Sequence, residues 1–309
     1  MTWWMRGAGC KRAVVCLFLT IAAPLCAQDL EPRAYTASPT GLHFLVAGWG
    51  RSSGGVVVDP SLPVEDVEAV VGSAIVGGGT TFGLAGRTAL FVAALPLVRA
   101  RASGRIGEAT GSVTRSGLAD PRFKLSVNLL GGRALTPTEF ARARRPTIAG
   151  VSLSVVPPLG QYDRAKLINL GANRWSFKPE VGISHAIRRW TIDGYAGVWL
   201  FTANDHFYTG ESVRTQQPVT ALQGHLSYTA RPRLWLALDG TWYAGGTTSV
   251  DGVEKADLQR NSRLGATVSL PLTARQSVKI AYSTGATTRI GGDFNTIAAS
   301  WQLSWITPE

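Results

Sequence analysis

The chain has 309 residues, 45% of them hydrophobic, with 31 Lys and Arg against 20 Asp and Glu for a formal charge of +11. That length holds one large β domain or two small ones, and after Ala27 no apolar run nears the roughly 20 residues of a spanning helix. A mature chain that enters a membrane must therefore cross it as strands, because only helices and closed barrels satisfy their backbone groups in hydrocarbon.

Met1 to Ala27 reads as a secretory signal. Arg6, Lys11 and Arg12 precede a short apolar run from Ala13 to Ala23, and Leu25-Cys26-Ala27 offers a cleavage site. The run is too short to cross ~30 Å of hydrocarbon. Removing the signal takes three cations and no acid, leaving +8, and it takes all 3 cysteines, Cys10, Cys16 and Cys26. An exported chain without disulfides needs another source of stability, and a large closed sheet supplies one. Nucleic acid is not an expected partner of such a chain. Outer-membrane lipid and phosphate-rich lipopolysaccharide are the expected neighbours of its basic loops.

Residues 28–309 form one expected domain. Gln28 to Pro39 is a short polar lead-in, and Leu42 to Gly50 is the first strand, followed by a loop from Arg51 to about Val67. Glu68 to Phe82 and Arg87 to Ala100 are long segments rich in Gly, Val and Ala, whose faces the pattern does not distinguish. Arg101 to Asp120 reads as a polar loop. From there the alternation sharpens: Phe123, Leu125, Val127 and Leu129 against Arg122, Lys124, Ser126 and Asn128, then, past a connection from Gly131 to Pro146, Ala149 to Val155. After the polar loop Gly160 to Arg174 come Phe177 to Ser184, the turn Arg188-Arg189, and Trp190 to Leu200. Thr202 to Gln217 is loop, Leu222 to Tyr228 is strand, and Arg231-Pro232-Arg233 turns into Leu234 to Trp242. Past the loop Ala244 to Arg260, three segments of period two (262–270, 278–283 and 297–305) close the chain.

Period-two segments of this length, one face apolar and one polar, are antiparallel strands. The expected fold is all-β: an antiparallel up-and-down transmembrane β-barrel of about 12 strands. Short and long connections alternate, as they do when short periplasmic turns face long external loops. A soluble barrel would fill its interior with the apolar face, but twelve strands enclose more space than those side chains fill. The polar face then lines a wet lumen, and the lumen residues are Lys124, Lys178, Glu180, Asp193, His225, Ser227, Asp239, Arg263 and Lys279. Trp175, Trp190, Trp242, Trp301 and Trp305 fall at or near strand ends, where amphipathic rings form membrane-interface girdles.

Ser116-Gly-Leu-Ala-Asp-Pro121, Pro158-Leu-Gly-Gln-Tyr-Asp163, Ile168-Asn-Leu-Gly-Ala-Asn-Arg-Trp175 with Pro179 beyond it, and Asn204 together give a specific pattern. On these motifs the mature chain resembles the MetA-pathway of phenol degradation family. The resemblance implies a bacterial outer-membrane barrel associated with uptake of aromatic or other small hydrophobic compounds, with no catalytic site. Pro158-Leu-Gly160 stands where the family commonly has Pro-Thr-Gly. The chain also runs on as Ile306-Thr-Pro-Glu309 past Trp305, whereas many such barrels end on an aromatic residue.

No metal or cofactor is expected, because His43, His185, His206 and His225 are scattered. Gly77-Gly-Gly79 and Gly54-Gly55 precede no helix that would aim at a phosphate, and read as strand or turn glycines. One constellation has the residue types of a hydrolase. If Arg231-Pro232-Arg233 is the whole turn, Ala230 pairs with Leu234 and Asp239 stands opposite His225, with Ser227 on the same face. Mixed polar residues lining a pore explain this set more simply. The expectation is thus a monomeric, non-enzymatic channel for small, hydrophobic or aromatic solutes. A barrel-embedded hydrolase using Ser227, His225 and Asp239, and a structural barrel without transport, are the alternatives.

Overall fold

The structure, a computed structural model, describes residues 30–58, 65–107, 109–143, 147–208 and 210–307. The signal expected over Met1 to Ala27 lies outside them. Among the described residues the elements are β1 (Leu42–Val57), β2 (Glu65–Leu84), β3 (Arg87–Ile106), β4 (Ala109–Leu118), β5 (Arg122–Leu130), α1 (Pro137–Arg142), β6 (Ile148–Val156), β7 (Ser176–Ile187) and β8 (Trp190–Phe201). There follow β9 (Asn204–Phe207), β10 (Ser212–Gln216), β11 (Val219–Arg231), β12 (Leu234–Gly245), β13 (Thr248–Val250), β14 (Val253–Glu254), β15 (Gln259–Pro271), β16 (Gln276–Thr287) and β17 (Gly291–Ile306).

Each long strand pairs antiparallel with the next in sequence, and β1 pairs with β17 from Leu42 against Ile306 to Val57 against Gly291, closing a barrel. β4 and β5 share one stave: β4 runs beside the far half of β3 and β5 beside its near half, with a break at 119–121. Counted as staves the barrel has twelve. Closure leaves the main sheet no free edge, which is what lets strands stand in hydrocarbon.

The alternation sorts the faces. Leu125, Leu153, Val181, Ile192, Leu226, Leu238, Leu264 and Ile297 point outward and are exposed, while Ser152, Lys178, Glu180, Asp193, His225 and Asp239 point inward and are buried. An exposed apolar belt around a buried polar interior inverts a soluble core and is stable only in lipid.

Several segments read as loops are strand. β1 continues to Val57 and β2 begins at Glu65, so the expected loop 51–67 is mostly ladder. The polar stretch 101–120 is a hairpin of β3 and β4. At ~3.3 Å per residue the 20-residue strands β2 and β3 far exceed the 9–11 residues a bilayer requires. Beyond the hydrocarbon no apolar face is demanded, so Arg101, Ser103 and Arg105 carry no alternation signal. There Arg105 meets Glu65 at 2.6 Å and Asp66 at 3.0 Å, both in the open. The loops 202–217 and 244–260 hold β9, β10, β13 and β14, which join in a small second sheet. The connection 131–146 contains α1, started by a capping box in which Thr136 and Glu139 satisfy each other's backbone N–H.

The turn after β11 also differs in detail. Arg231, not Ala230, pairs with Leu234, and the register shifts between Thr229 and Arg231. This bulge absorbs one residue, so from Thr229 backward the register is the expected one and His225 stands opposite Asp239.

Gly77-Gly-Gly79 serve close approach: a Cβ at Gly79 would lie 2.6 Å from the Phe44 ring and one at Gly78 3.1 Å from Leu45. The inner face of this half of the barrel is small or apolar, through Val46, Gly48, Gly50, Ile75, Ala281 and Ala298. With both faces apolar the pattern has no contrast, which is why the sequence leaves these faces unassigned.

Candidate functional site

The polar lead-in, residues 30–40, lies inside the barrel. Tyr35 is 1% exposed, and its hydroxyl meets Ser152 Oγ at 2.9 Å and donates to Glu180 Oε1 at 3.2 Å. Its ring needs space that only glycine leaves. Gly150 on β6 and Gly182 on β7 face each other in the ladder, and a Cβ on either would come within 2.8 Å and 2.2 Å of the Tyr35 ring. Arg33 Nη2 donates to Thr229 Oγ1 at 2.7 Å and Thr191 Oγ1 at 3.2 Å, and its guanidinium lies 5.1 Å from the Trp235 ring. The Tyr195 hydroxyl accepts from the Ala34 N–H at 3.0 Å. Residues 30–40 thus form a plug hydrogen-bonded to four different staves and resting on the ring of a fifth.

Ion pairs fix its leading end. Glu31 receives Lys124 Nζ at 2.6 Å, with Arg122 at 3.9 Å. Lys124 also lies 3.6 Å from Glu180, which pairs with Lys178 at 2.5 Å. The Lys124 ammonium, with Lys178 behind it, holds the Glu31 carboxyl down at about 2 against the opposing effect of burial.

The structure places each expected lumen residue on the inner face. Lys124, Lys178 and Glu180 belong to the plug's ion-pair network. His225 Nδ1 meets Asp239 Oδ1 at 2.7 Å, and Thr267 Oγ1 donates to Asp239 Oδ2 at 2.8 Å. Asp193 faces His225 from the opposite neighbour, β8. Ser227 is 0% exposed and its Oγ finds no partner among the described residues. Arg263 Nη2 donates to Phe294 O at 2.8 Å and Ser283 Oγ at 3.1 Å. Lys279 lies 5.6 Å from the Trp235 ring and faces open space.

That space consists of two cavities. One of ≈490 Å³, toward the short turns, is lined by Arg33, Phe140, Arg233, Trp235, Lys279 and several Ser and Thr hydroxyls. The other, ≈370 Å³, lies against β1, β2, β16 and β17 and is lined by Leu30 of the plug, small apolar side chains, Arg263 and Lys279. Trp175, Trp190, Trp242, Trp301 and Trp305 are on the outside and exposed, as is Trp49. Trp199 and Trp235 do not follow them: both point inward, and Trp199 packs with Val156, Val219, Ala221 and Tyr243.

The motifs that carry the family resemblance converge on the long-loop side. Asp120, at the break between β4 and β5, accepts the N–H of Gly160 and of Ala172, each at 2.7 Å. Burial pushes its carboxyl above its ordinary value, against the pull of those two donors. Asn204 Nδ2 donates to the Tyr162 hydroxyl and to Ala172 O, and Asn173 Nδ2 donates to Asn204 Oδ1. This clasp folds the connection between β6 and β7 back onto the barrel. There Ile168 sits in an apolar cluster with Val56, Val67, Ala69, Ala102 and Phe294. In the sequence these motifs fall largely in segments that read as polar loops, and only the fold brings them together.

A closed antiparallel sheet with an apolar belt outside and charges inside is a transmembrane β-barrel of the bacterial outer-membrane kind. The chain belongs to the family described as "Putative MetA-pathway of phenol degradation", whose model matches residues 50–299. Among solved structures it is similar to an outer membrane channel from Pseudomonas putida F1, at 19% identity and a TM-score of 0.75, covering 90% of this chain and 100% of that one. It is less similar to the transport unit of the autotransporter AIDA-I from Escherichia coli, at 10% identity, TM-score 0.47 and coverage of 93% and 95%. The P. putida toluene transporter TodX matches at 10% identity, TM-score 0.39 and coverage of 88% and 91%. No curated protein matches the chain.

Proposed function

We propose that this barrel is a passive outer-membrane channel for small, hydrophobic or aromatic solutes. The observation that carries the reading is an interior that is polar and retains two cavities, where a purely structural barrel of this size would be packed shut. The family description, which concerns phenol degradation, supports aromatic compounds as the solute class. The residues 30–40 then act as a constriction that passage must circumvent or displace, and charges around it tune permeation. Loop length orients the channel, with 160–174 and 244–260 outside the cell and Arg188-Arg189 in the periplasm. Epitope tags in the two loops that label only in permeabilised cells would reverse this orientation.

A hydrolase reading has the His225–Asp239 bond in its favour and access against it. Neither His225 nor Ser227 lines either cavity, and no hydrogen bond joins them. A nucleophile no substrate reaches does no chemistry, which supports a non-enzymatic role. The test is conductance of the purified barrel in planar bilayers, with uptake of single-ring aromatic compounds by cells with and without the gene. Absent conductance and unchanged uptake would overturn the channel reading in favour of a structural barrel. Ester hydrolysis lost in Ser227→Ala would favour the enzyme.

A further inference from the structure

Charge in the interior is not distributed as its composition suggests. Three inward carboxylates are engaged, Glu31 with Lys124, Glu180 with Lys178 and Tyr35, and Asp239 with His225 and Thr267, and a fourth, Asp193, is buried opposite His225. None of them lines either cavity, and among the described residues neither cavity has any other carboxylate in its walls. The charged side chains in the cavity walls are cationic, Arg33 and Arg233 in the larger cavity, Arg263 in the smaller, and Lys279 in both, with Arg33 and Arg263 also hydrogen-bonded to the barrel.

Lys279 is the odd member. Lys124 and Lys178, each five staves away around the barrel, each reach a carboxylate within 4 Å. Among the described residues no carboxylate lies within ion-pair distance of Lys279; its ammonium stands 5.6 Å from the Trp235 ring, and Glu31 and Asp239 act on it only from farther off. An ammonium partly withdrawn from water with no carboxylate in direct contact is costly, and a passing or bound anion relieves that cost. The rest of the smaller cavity is mostly apolar, through Leu30, Val46, Ile75, Ala281 and Ala298, with Ser and Thr hydroxyls among them. Its ≈370 Å³ exceeds the roughly 150 Å³ that suffices to hold benzene. Lys279 at the edge of a small, mostly apolar chamber, with an indole beside it and the hydrogen-bonded Arg263 in the wall, matches a flat apolar body bearing one negative group.

We propose that the cavities joined at Lys279 form an anion subsite that takes the carboxylate of a small aromatic acid, with the ring in the apolar chamber between β2 and β16. This deepens the channel reading and rests on it, since it names the form in which a solute would travel. Neutral aromatics of the same size lack the charge that Lys279 seeks, and aromatic ammonium ions meet repulsion from Lys279 and Arg263.

The experiment is equilibrium dialysis of labelled benzoate at neutral pH against the full barrel in detergent, with a micelle-only blank and heat-modifiable gel mobility as the check on folding. The wild type is expected to bind saturably. Lys279→Gln should weaken binding by about tenfold or more, the loss typical of a charge-assisted contact, and Lys279→Arg should retain it. Benzyl alcohol and benzylammonium should not compete. Absence of saturable binding to a folded barrel, unchanged binding in Lys279→Gln, or equal competition by benzyl alcohol overturns the subsite. Bilayer recordings separate the two readings. A barrel that binds benzoate through Lys279 but conducts nothing refutes the channel and keeps the site, and one that conducts identically in wild type and Lys279→Gln without binding does the reverse.

Discussion

Gly182→Ala is the sharpest perturbation available, because it adds one methyl group where the plug is seated. The new Cβ would fall 2.2 Å and 2.4 Å from two atoms of the Tyr35 ring and 2.9 Å from Tyr195. Gly182 is a mid-strand residue, where alanine is favoured over glycine by roughly 0.5–1 kcal/mol, so the barrel itself should not suffer. The cost falls on the docked plug. Overpacking costs about 1–3 kcal/mol, and a ring pushed aside also loses the bonds from its hydroxyl to Ser152 and Glu180. Taking ~2 kcal/mol as a low figure, the population with residues 30–40 out of place rises roughly thirtyfold. Trypsin reads this directly at the Arg33–Ala34 bond, protected while Arg33 is bonded to Thr191 and Thr229 inside the barrel. Cleavage should quicken in Gly182→Ala, and bilayer conductance should rise with it. In a Tyr35→Ala background the same substitution should add nothing. Unchanged cleavage and conductance, in a barrel with normal heat-modifiable mobility, would refute the seat.

Three further outcomes are expected. Acid should loosen the plug: the Glu31 carboxyl is held at about 2 by Lys124, so its contribution is complete above the ordinary 4.5 and is lost as pH falls toward 2. Because Glu31 is more than a third exposed, solvent screening keeps that contribution to about 1 kcal/mol. Conductance should therefore rise between about pH 5 and 2 (roughly the span of the titration) in the wild type and less in Glu31→Gln; an equal rise in both would assign the effect elsewhere. Asp120→Asn turns an NH₂ group toward a backbone donor and should cost about 1–3 kcal/mol. It should quicken tryptic cleavage at Arg164 and Lys166, and unaltered cleavage there would mean the clasp is not what holds the loop. Cysteines at 225 and 239 should be bridged by a short bis-thiol reagent, since opposed residues have Cβ atoms about 4.5–5.5 Å apart. Both positions are fully enclosed, so a bulky aqueous reagent should label them slowly, and a pair that never bridges would disprove the register.

Each strand that stands in lipid must present an apolar face whatever it is paired with, so the period-two pattern of 122–129, 177–184 or 262–270 was sufficient to mark strand and its two faces. The count of about twelve strands, with tryptophans at their ends, then turned the apolar face to lipid. Even the His225–Asp239 pairing follows from counting back from one turn, although a bulge at Ala230 changes how the turn is made. Segments lose that legibility where the demand is absent. The outer halves of β3 and β4 stand beyond the hydrocarbon, and β1 and β2 are apolar on both faces. The plug and the clasp have no local signature at all. Tyr35 meets Glu180 across 145 positions of sequence, and Asp120 meets Ala172 across 52. Nothing in a polar lead-in such as Gln28 to Pro39 distinguishes a tail left in water from one drawn into a lumen. What decides it is closure of the sheet, which sets Gly150 beside Gly182 to make a slot one ring wide. The same closure turns Lys124, Lys178 and Glu180 inward, away from water, where the charges of the plug find partners.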